Sequence, residues 1–229
     1  MDSDSNRQAV ADLVERGVGL AAGGELGKAV LEFTNAILMV PTCAAAYFHR
    51  GCAALCMGAL DDAASDLDKA VRLDPAFARA YDARGLVRAA RGDLGRAASD
   101  HARAAELEPS MASAFENLGT AYFRMGESAL AIVNYSKALR LRPDDWRLYL
   151  LRAGVQTNRE EFRFASADFD DALRLNPDDV RALYGRAYTL YHLGQLERSM
   201  ADFRRVLLLA PDNRDAADAL EVLLRMGVP

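Results

Sequence analysis

The sequence predicts an all-α fold of repeated helix pairs, and two observations carry this prediction. Six of the seven prolines stand thirty-four residues apart, without insertion or deletion: Pro41, Pro75, Pro109, Pro143, Pro177 and Pro211. Such regular spacing indicates internal repetition. In addition, alanine and leucine dominate, while only 7 prolines and 16 glycines occur among 229 residues, and this composition favours helix.

The prolines divide the chain into six units if each unit ends two residues after its proline. The units are then 10–43, 44–77, 78–111, 112–145, 146–179 and 180–213. Residues 1–9 become a polar N-terminal tail or cap, in which Ser5 and Gln8 have the spacing of a capping box before the first helix. Residues 214–229 become a C-terminal capping helix that covers the last unit.

The capping helix has an apolar side and a glycine stop. We expect Leu220, Leu223 and Leu224 to lie along the side that covers the last unit, and Gly227 to end the helix.

Each unit is expected to form two helices. The first has apolar residues at helical spacing, as in Tyr81, Gly85, Leu86 and Ala89. A glycine then supplies the positive φ of a tight helix exit in five units, and the proline stops the second helix. A column of small residues marks where the two helices cross closely: Gly17, Gly51, Gly85, Gly119, Ala153 and Ala187.

The fifth unit departs most from this pattern. Glu160 replaces the turn glycine, and Gln156 stands where the fourth unit has Tyr122. This predicts an altered inter-helix turn within 157–164. A local kink, a partner contact and neutral variation at a tolerant turn are all open interpretations.

The aligned columns resemble the tetratricopeptide repeat, over residues 10–213. The matching positions are a large apolar column, the small column, the turn glycine, an alanine column, a bulky column and the proline. The large apolar column consists of Leu13, Tyr47, Tyr81, Phe115, Tyr149 and Leu183. The resemblance implies a right-handed α-solenoid superhelix of helix-turn-helix repeats, with the first helices lining a concave groove.

One pair of columns covaries within this single chain. Arg16, Arg50, Arg84, Arg152 and Arg186 each have an acid sixteen residues later, and the fourth unit has Leu118 and Asn134 in place of both. We interpret this as an ion pair between the two helices of each unit. The alternative is a row of arginines for an anionic ligand, but an arginine already held by a carboxylate is a poor anion receptor.

Composition excludes several functional classes. A net charge of −5 argues against a nucleic-acid surface. The acidic N-terminus lacks the features of a secretory signal, and no run is pure enough for a membrane span. Three cysteines without an export signal indicate free thiols in a reducing compartment, so we expect a cytoplasmic protein.

The cluster His49, Cys52 and Cys56 lies on one face of the first helix of the second unit. No second His/Cys cluster occurs, whereas a structural zinc site needs four ligands, so we interpret these residues as groove-wall fillers and expect no metal or cofactor. Metal or redox sensing through the two thiols is the less favoured alternative. His101 and His192 show no partner in the sequence.

The remaining candidate is the groove itself. No nucleophile, base and orienting residue converge, so we expect no enzyme. The inward columns look apolar in the first two units, mixed in the middle and aromatic in the last. They yield these candidate binding residues: Phe48, Cys52, Leu55, Arg79, Leu86, Glu116, Phe123, Arg147, Leu150, Arg181, Tyr184, Tyr188 and Tyr191.

This groove suits a protein or peptide partner, bound as an extended peptide or a helix. The lysines Lys28, Lys69 and Lys137 all fall on second helices, so the clamp by which chaperone-binding members of the family hold a C-terminal carboxylate is absent. We expect a non-enzymatic adaptor. The alternative is a self-assembling scaffold, a homo-oligomer of this chain.

Overall fold

The computed structural model describes residues 3–226, with the backbone alone for residues 3–5. Thirteen helices occur in this range and fit six repeats and a capping helix: α1 (Ser3–Ala22), α2 (Leu26–Met39), α3 (Ala44–Cys56), α4 (Leu60–Leu73), α5 (Ala78–Ala90), α6 (Leu94–Leu107), α7 (Ala112–Arg124), α8 (Ser128–Leu141), α9 (Trp146–Asn158), α10 (Phe162–Leu175), α11 (Val180–His192), α12 (Leu196–Leu209) and α13 (Arg214–Arg225). The chain forms two compact units, unit 1 (Met1–Ala121) and unit 2 (Tyr122–Pro229).

Unit 1 is built from consecutive helix pairs. Helices α1 and α2, α3 and α4, and α5 and α6 pack as pairs, and α2 and α4 also contact the first helix of the next repeat. The first helices α1, α3 and α5 touch one another in turn. The core between them is apolar, with Leu67 and Val87 fully buried and Val71 nearly so.

Unit 2 repeats this order. Helices α8 to α13 each pack on the next, and the first helices α9 and α11 touch. Phe169, Leu183, Met200 and Phe203 form its main core. Leu223 of α13 is fully buried against this core, which confirms that the last helix covers the last repeat.

The two helices of a repeat approach each other at the small column. A Cβ added to Gly17 would lie 2.4 Å from the ring of Phe33, and one added to Gly85 would lie 2.6 Å from the ring of His101. Real Cβ atoms do not come this close to a ring. The bulky column therefore fills the space that the small column leaves, which is the close packing of a protein interior.

The inter-helix turns are alike, including the one expected to differ. Gly126 has φ 84° and donates its N–H to Phe123 O at 3.0 Å; Glu160 has φ 59° and donates to Thr157 O at 2.9 Å. The prediction of an altered turn in the fifth repeat is therefore wrong. Glu160 instead adopts the left-handed conformation that the other repeats assign to glycine, which strains an L-residue.

The predicted ion pairs are present. In four repeats the arginine donates from Nε and Nη2 to both oxygens of its aspartate over 2.6–2.8 Å. In the first repeat both bonds go to Glu32 Oε2, at 3.1 and 3.3 Å, and Arg16 is mostly exposed. The hydrogen bonds to the aspartates raise the pKa of Arg50 and Arg152 above the usual value for arginine.

Each of these four arginines also reaches the preceding repeat, which the sequence analysis missed. Nη1 donates to an acceptor sixteen residues earlier, on the preceding second helix: Thr34, Asp68, Ser136 or Asp170. We term this three-point arrangement the arginine node. The sequence contains a signal for this contact. Where the fourth repeat has Leu118 in place of the arginine, the residue sixteen positions earlier is Ala102 rather than a hydrogen-bond acceptor.

The chain ends differ from expectation. Helix α1 begins at Ser3, so the segment predicted as a tail or cap is already helical and Ser5 lies inside the helix rather than before it. Leu224 is 52% exposed and does not join the covering face, to which Leu220 does contribute. Gly227, expected to end α13, lies outside the described residues.

The arginine node predicts that breaking a buried arginine–acid pair costs more stability than breaking an exposed one. Replacing Arg152 by alanine leaves the buried carboxylate of Asp168, 7% exposed, without its arginine, and replacing Asp168 leaves the half-buried Arg152, 21% exposed, without its carboxylate. We expect each change to lower the free energy of unfolding by about 3 kcal/mol, and the double change to cost less than the sum. Urea denaturation measures all three.

The matched control is the exposed pair Arg16 and Glu32, with the same spacing and side chains 59% and 25% exposed. Each alanine there should cost less than about 1 kcal/mol. Strictly additive losses at Arg152 and Asp168 would contradict the pairing.

The strained turn predicts a stabilising substitution. Glu160→Gly removes the conflict between a Cβ and a positive φ, so we expect a gain of about 1 kcal/mol in the free energy of unfolding. Glu161→Gly is the control, because the neighbouring glutamate has φ −80°, so glycine there relieves no strain; it adds chain entropy to the unfolded state and removes the ion pair with Arg159, and should therefore destabilise. Equal effects of both substitutions, measured by thermal melting, would refute the strain.

Candidate functional site

The unit 1 candidates are mostly used for packing. Phe48 is 4% exposed and its ring lies 4.8 Å from that of Phe77, so it offers almost no surface to a partner. Cys52 and Leu55 are half-buried against the same core. The expectation that Phe48 lines an open groove is therefore wrong, because the interior uses its ring.

Two unit 1 candidates stay accessible. Leu86 is 40% exposed, and the exposed Arg79 places its guanidinium 5.4 Å from the centre of the Phe48 ring. Glu116 is half-buried. An apolar recess of about 490 Å³ lies at the first repeat, as expected for its inward columns, and is lined by Arg7, Val10, Ala11, Val14, Glu15, Val40, Cys43 and Ala45.

The histidine and thiols of α3 do not form a chemical site. His49 stacks on Phe33 with ring centres 5.6 Å apart, and burial, with a smaller effect of Arg79, lowers its pKa. Burial raises the pKa of Cys52 to about 12, so this thiol stays protonated at neutral pH. Over residues 3–226, no three His, Cys, Asp or Glu side chains are grouped as metal ligands.

A buried polar cluster forms around Asp82 of α5. This residue is 6% exposed and accepts two hydrogen bonds from Asn117 Nδ2, at 3.1 and 3.2 Å. His101 Nδ1 lies 2.6 Å from Asp82 Oδ1, so the prediction that His101 has no partner is wrong. These bonds satisfy Asp82 from within unit 1 and leave it unavailable to a ligand.

The unit 2 candidates separate into packed and accessible residues. Phe123 and Leu150 are half-buried and pack against two apolar clusters. The side chains of Arg147 and Arg181 are 67% and 69% exposed, near the starts of α9 and α11. The two arginines are therefore the accessible charges among the predicted residues of this unit.

The three tyrosines of α11 come together in one recess, as their spacing predicts. Tyr184, Tyr188 and Tyr191 lie on one face of the helix, Phe203 of α12 forms the floor, and Ala219 and Val222 of α13 form the other wall. We refer to this site as the tyrosine recess. Its volume is about 270 Å³.

The accessibility of the rings favours contact with a partner. Tyr188 is 41% and Tyr191 36% exposed, whereas Tyr184 is half-buried and packs edge-on against Phe203 at 5.6 Å. Burial, with smaller contributions from Asp215 and Tyr188, raises the pKa of Tyr184. The hydroxyl of Tyr184 therefore stays protonated, and the recess offers aromatic ring faces with polar hydroxyl groups.

An aromatic cluster supports the rim of the recess. The rings of His192 and Phe162 stack in parallel at 4.5 Å, and Tyr188 and Tyr191 lie 4.5 and 5.5 Å from His192. The expectation that His192 has no partner is therefore wrong. Phe162 was missed because it lies on α10, outside the inward columns of the first helices. The cluster fixes the two exposed tyrosines in place.

The recess suits a side chain rather than a cofactor. Ligand pockets usually enclose about 300–1,000 Å³, so this volume is at the small end. Its lining is aromatic and aliphatic with phenol hydroxyls as the polar groups, which suits binding of an apolar side chain.

None of the helices between residues 3 and 226 combines the length and apolarity needed to cross a membrane.

Comparison with protein families identifies the repeat. One profile, described as tetratricopeptide repeat, matches residues 112–145, and a second with the same description matches residues 14–76 and 158–216. No curated protein sequence matches the chain.

Solved structures share the fold. YrrB, described as a TPR protein with an unusual peptide-binding site, is 22% identical with a TM-score of 0.73, covering 82% of this chain and 97% of YrrB. PilF of Pseudomonas aeruginosa is 19% identical with a TM-score of 0.83, and the match covers 93% of this chain and 97% of PilF. MamA is 25% identical with a TM-score of 0.65, and the match covers 70% of this chain and 94% of MamA.

The thiol environments predict selective alkylation. At pH 8, iodoacetamide should modify the exposed Cys56 while Cys52 stays largely unmodified, because its raised pKa leaves almost no thiolate. Mass spectrometry of proteolytic peptides measures both sites. In concentrated urea both should react at similar rates, which serves as the control. Equal rates in the folded protein would show that Cys52 is a reactive thiol.

Proposed function

Because this chain belongs to the tetratricopeptide repeat family, we propose that it is a non-catalytic protein-interaction scaffold that binds a peptide or a partner helix along its first helices. Members of the family generally act as non-catalytic adaptors. YrrB, which has a similar fold, is described as having a peptide-binding site. The partner of the present chain is proposed from its own residues.

The tyrosine recess is the observation that carries the proposal. Two rings are more than a third exposed, they are held by neighbouring aromatic rings, and the recess has room for one large side chain. Aromatic side chains that are rigid and partly exposed dominate binding energy at protein interfaces. In this proposal an apolar side chain of the partner enters the recess and the tyrosine hydroxyls hydrogen-bond its backbone.

The first helices of unit 1 contribute a different surface. Leu86 and Arg79 of α5 are exposed, and the apolar recess at the first repeat presents Ala11, Val14 and Ala45. These residues form a second candidate contact surface within unit 1, in which the buried Phe48 packs against the guanidinium of Arg79.

A self-assembling scaffold is the second candidate, and one observation favours it. Leu31 and Leu38 lie seven residues apart on the same face of α2 and are 64% and 74% exposed. Exposed apolar residues on one helix face often mark a contact between proteins. In this case a copy of the same chain would cover α2.

The peptide-binding function is tested by selecting peptides from a random library displayed on phage with the full chain, and measuring their affinity by fluorescence anisotropy. Tyr188→Ser should weaken binding by about thirtyfold, the effect of removing an interface hot spot. Leu208→Ser is the control, because Leu208 is 80% exposed on α12 and does not line the recess. Its affinity should stay within twofold of the wild type.

Two outcomes would contradict the proposal. If Tyr188→Ser binds the selected peptides as well as Leu208→Ser does, the recess is not the binding site. If light scattering over a concentration series shows assembly that Leu31→Ser with Leu38→Ser abolishes, and no peptide is selected, the scaffold function replaces it.

A further inference from the structure

Two acidic residues lie beside the tyrosine recess, on the side formed by α13. Helix α13, which forms one wall, has Asp215 and Asp218 one turn before the lining residues Ala219 and Val222, on the same helix face. Both carboxylates are exposed, and within residues 3–226 no basic side chain lies within 4 Å of either one. Their charge is therefore open to a partner.

Three exposed arginines of unit 2 already have partners. Arg147 Nε donates to Asp145 at 3.2 Å, and Arg181 lies over the ring of Trp146 and 3.7 Å from Asp179. Arg225, the next residue on the recess face of α13, forms an ion pair with Glu221. Among the charges of α13 that form no ion pair with another described residue, the acids Asp215 and Asp218 outnumber the one base, Arg214, so the balance beside the recess is negative, although the candidate groove residues in this unit included two arginines and no acid.

Ring chemistry acts in the same direction. Tyrosine faces attract cations through the ring quadrupole, and Tyr188 and Tyr191 expose theirs beside the acids. A lysine or arginine next to an apolar anchor would meet both kinds of group at once.

We propose that the partner of the tyrosine recess is a basic peptide segment, with a large apolar side chain in the recess and lysine or arginine residues against Asp215 and Asp218. This inference rests on the proposed peptide-binding function. It adds the charge of the partner, which neither the repeat pattern nor the similar structures provide.

The test uses three labelled synthetic peptides and the full chain, with anisotropy as the readout. The first has a central Leu-Trp pair between two lysines on each side, the second has glutamates in place of the lysines, and the third has serines in place of Leu-Trp. We expect the first to bind about tenfold more tightly than the second at about 50 mM salt, and the third to bind weakly. Salt at about 1 M should remove most of the preference.

Charge-reversal variants of α13 test whether Asp215 and Asp218 set the preference for the lysine peptide. Asp215→Lys with Asp218→Lys should favour the glutamate peptide over the lysine peptide. Because lysine in the first turn of α13 opposes the helix dipole, Asp218→Lys is also measured alone and should remove the preference for the lysine peptide without reversing it.

The matched control is Glu197→Lys, which reverses an exposed acid in the first turn of α12. It opposes a helix dipole in the same way as Asp215→Lys does, but Glu197 does not line the recess. Both peptide affinities should stay within twofold of the wild type. A shift in preference as large as that of Asp218→Lys would show that net charge, rather than the acids of α13, sets the preference.

The outcomes separate the two proposals. If Tyr188→Ser weakens both charged peptides and the wild type binds them equally, the recess binds peptides and the charge inference is overturned. If Tyr188→Ser has no effect on either peptide, the proposed function fails as well. If light scattering shows self-association that Tyr188→Ser abolishes, a second copy occupies the recess, and this too overturns the inference.

Discussion

The close crossing of the two helices in each repeat is the constraint on which the rest of the structure depends. Where Gly17 faces Phe33 and Gly85 faces His101, a single added methyl group would overlap a ring. The helices can approach only if one side of the contact has glycine or alanine and the other fills the gap. This requirement fixes the rotation of both helices about their axes, and thereby decides which faces are buried and which are left for other contacts.

The fold could be predicted from the sequence because its determinants repeat. Proline, turn glycine, small and bulky columns each occur several times, so one chain contains its own alignment, and the covariation of arginine with acid predicted a contact that the structure contains. Exceptions were harder to interpret. Glu160 suggests a broken turn, yet the hydrogen bonds of the turn hold its backbone in the glycine conformation, because the surrounding helices determine φ more strongly than the residue does.

The candidate site was only partly predictable, for a physical reason. Column position tells which direction a side chain points, but not whether a neighbour covers it. Phe48 and Tyr188 both occupy inward columns, yet the ring of Phe77 helps to cover the first, while the second stays 41% exposed beside α13. Asp82 similarly points inward but is held by Asn117 and His101. Phe162 of α10 and Val222 of α13 also contribute to the recess, but they lie outside the inward columns of the first helices.

The arginine node limits insertions in the four repeats that contain it and in the linkers that precede them. Each node joins positions sixteen residues before and after the arginine, so its geometry depends on the length of the turn inside a repeat and of the linker between repeats. One extra residue in either connection would move an acceptor by about a hundred degrees around its helix and break the bond. Gain or loss of a whole repeat preserves every such distance. Such an array can therefore change its length during evolution by whole repeats, while its connections keep the same length.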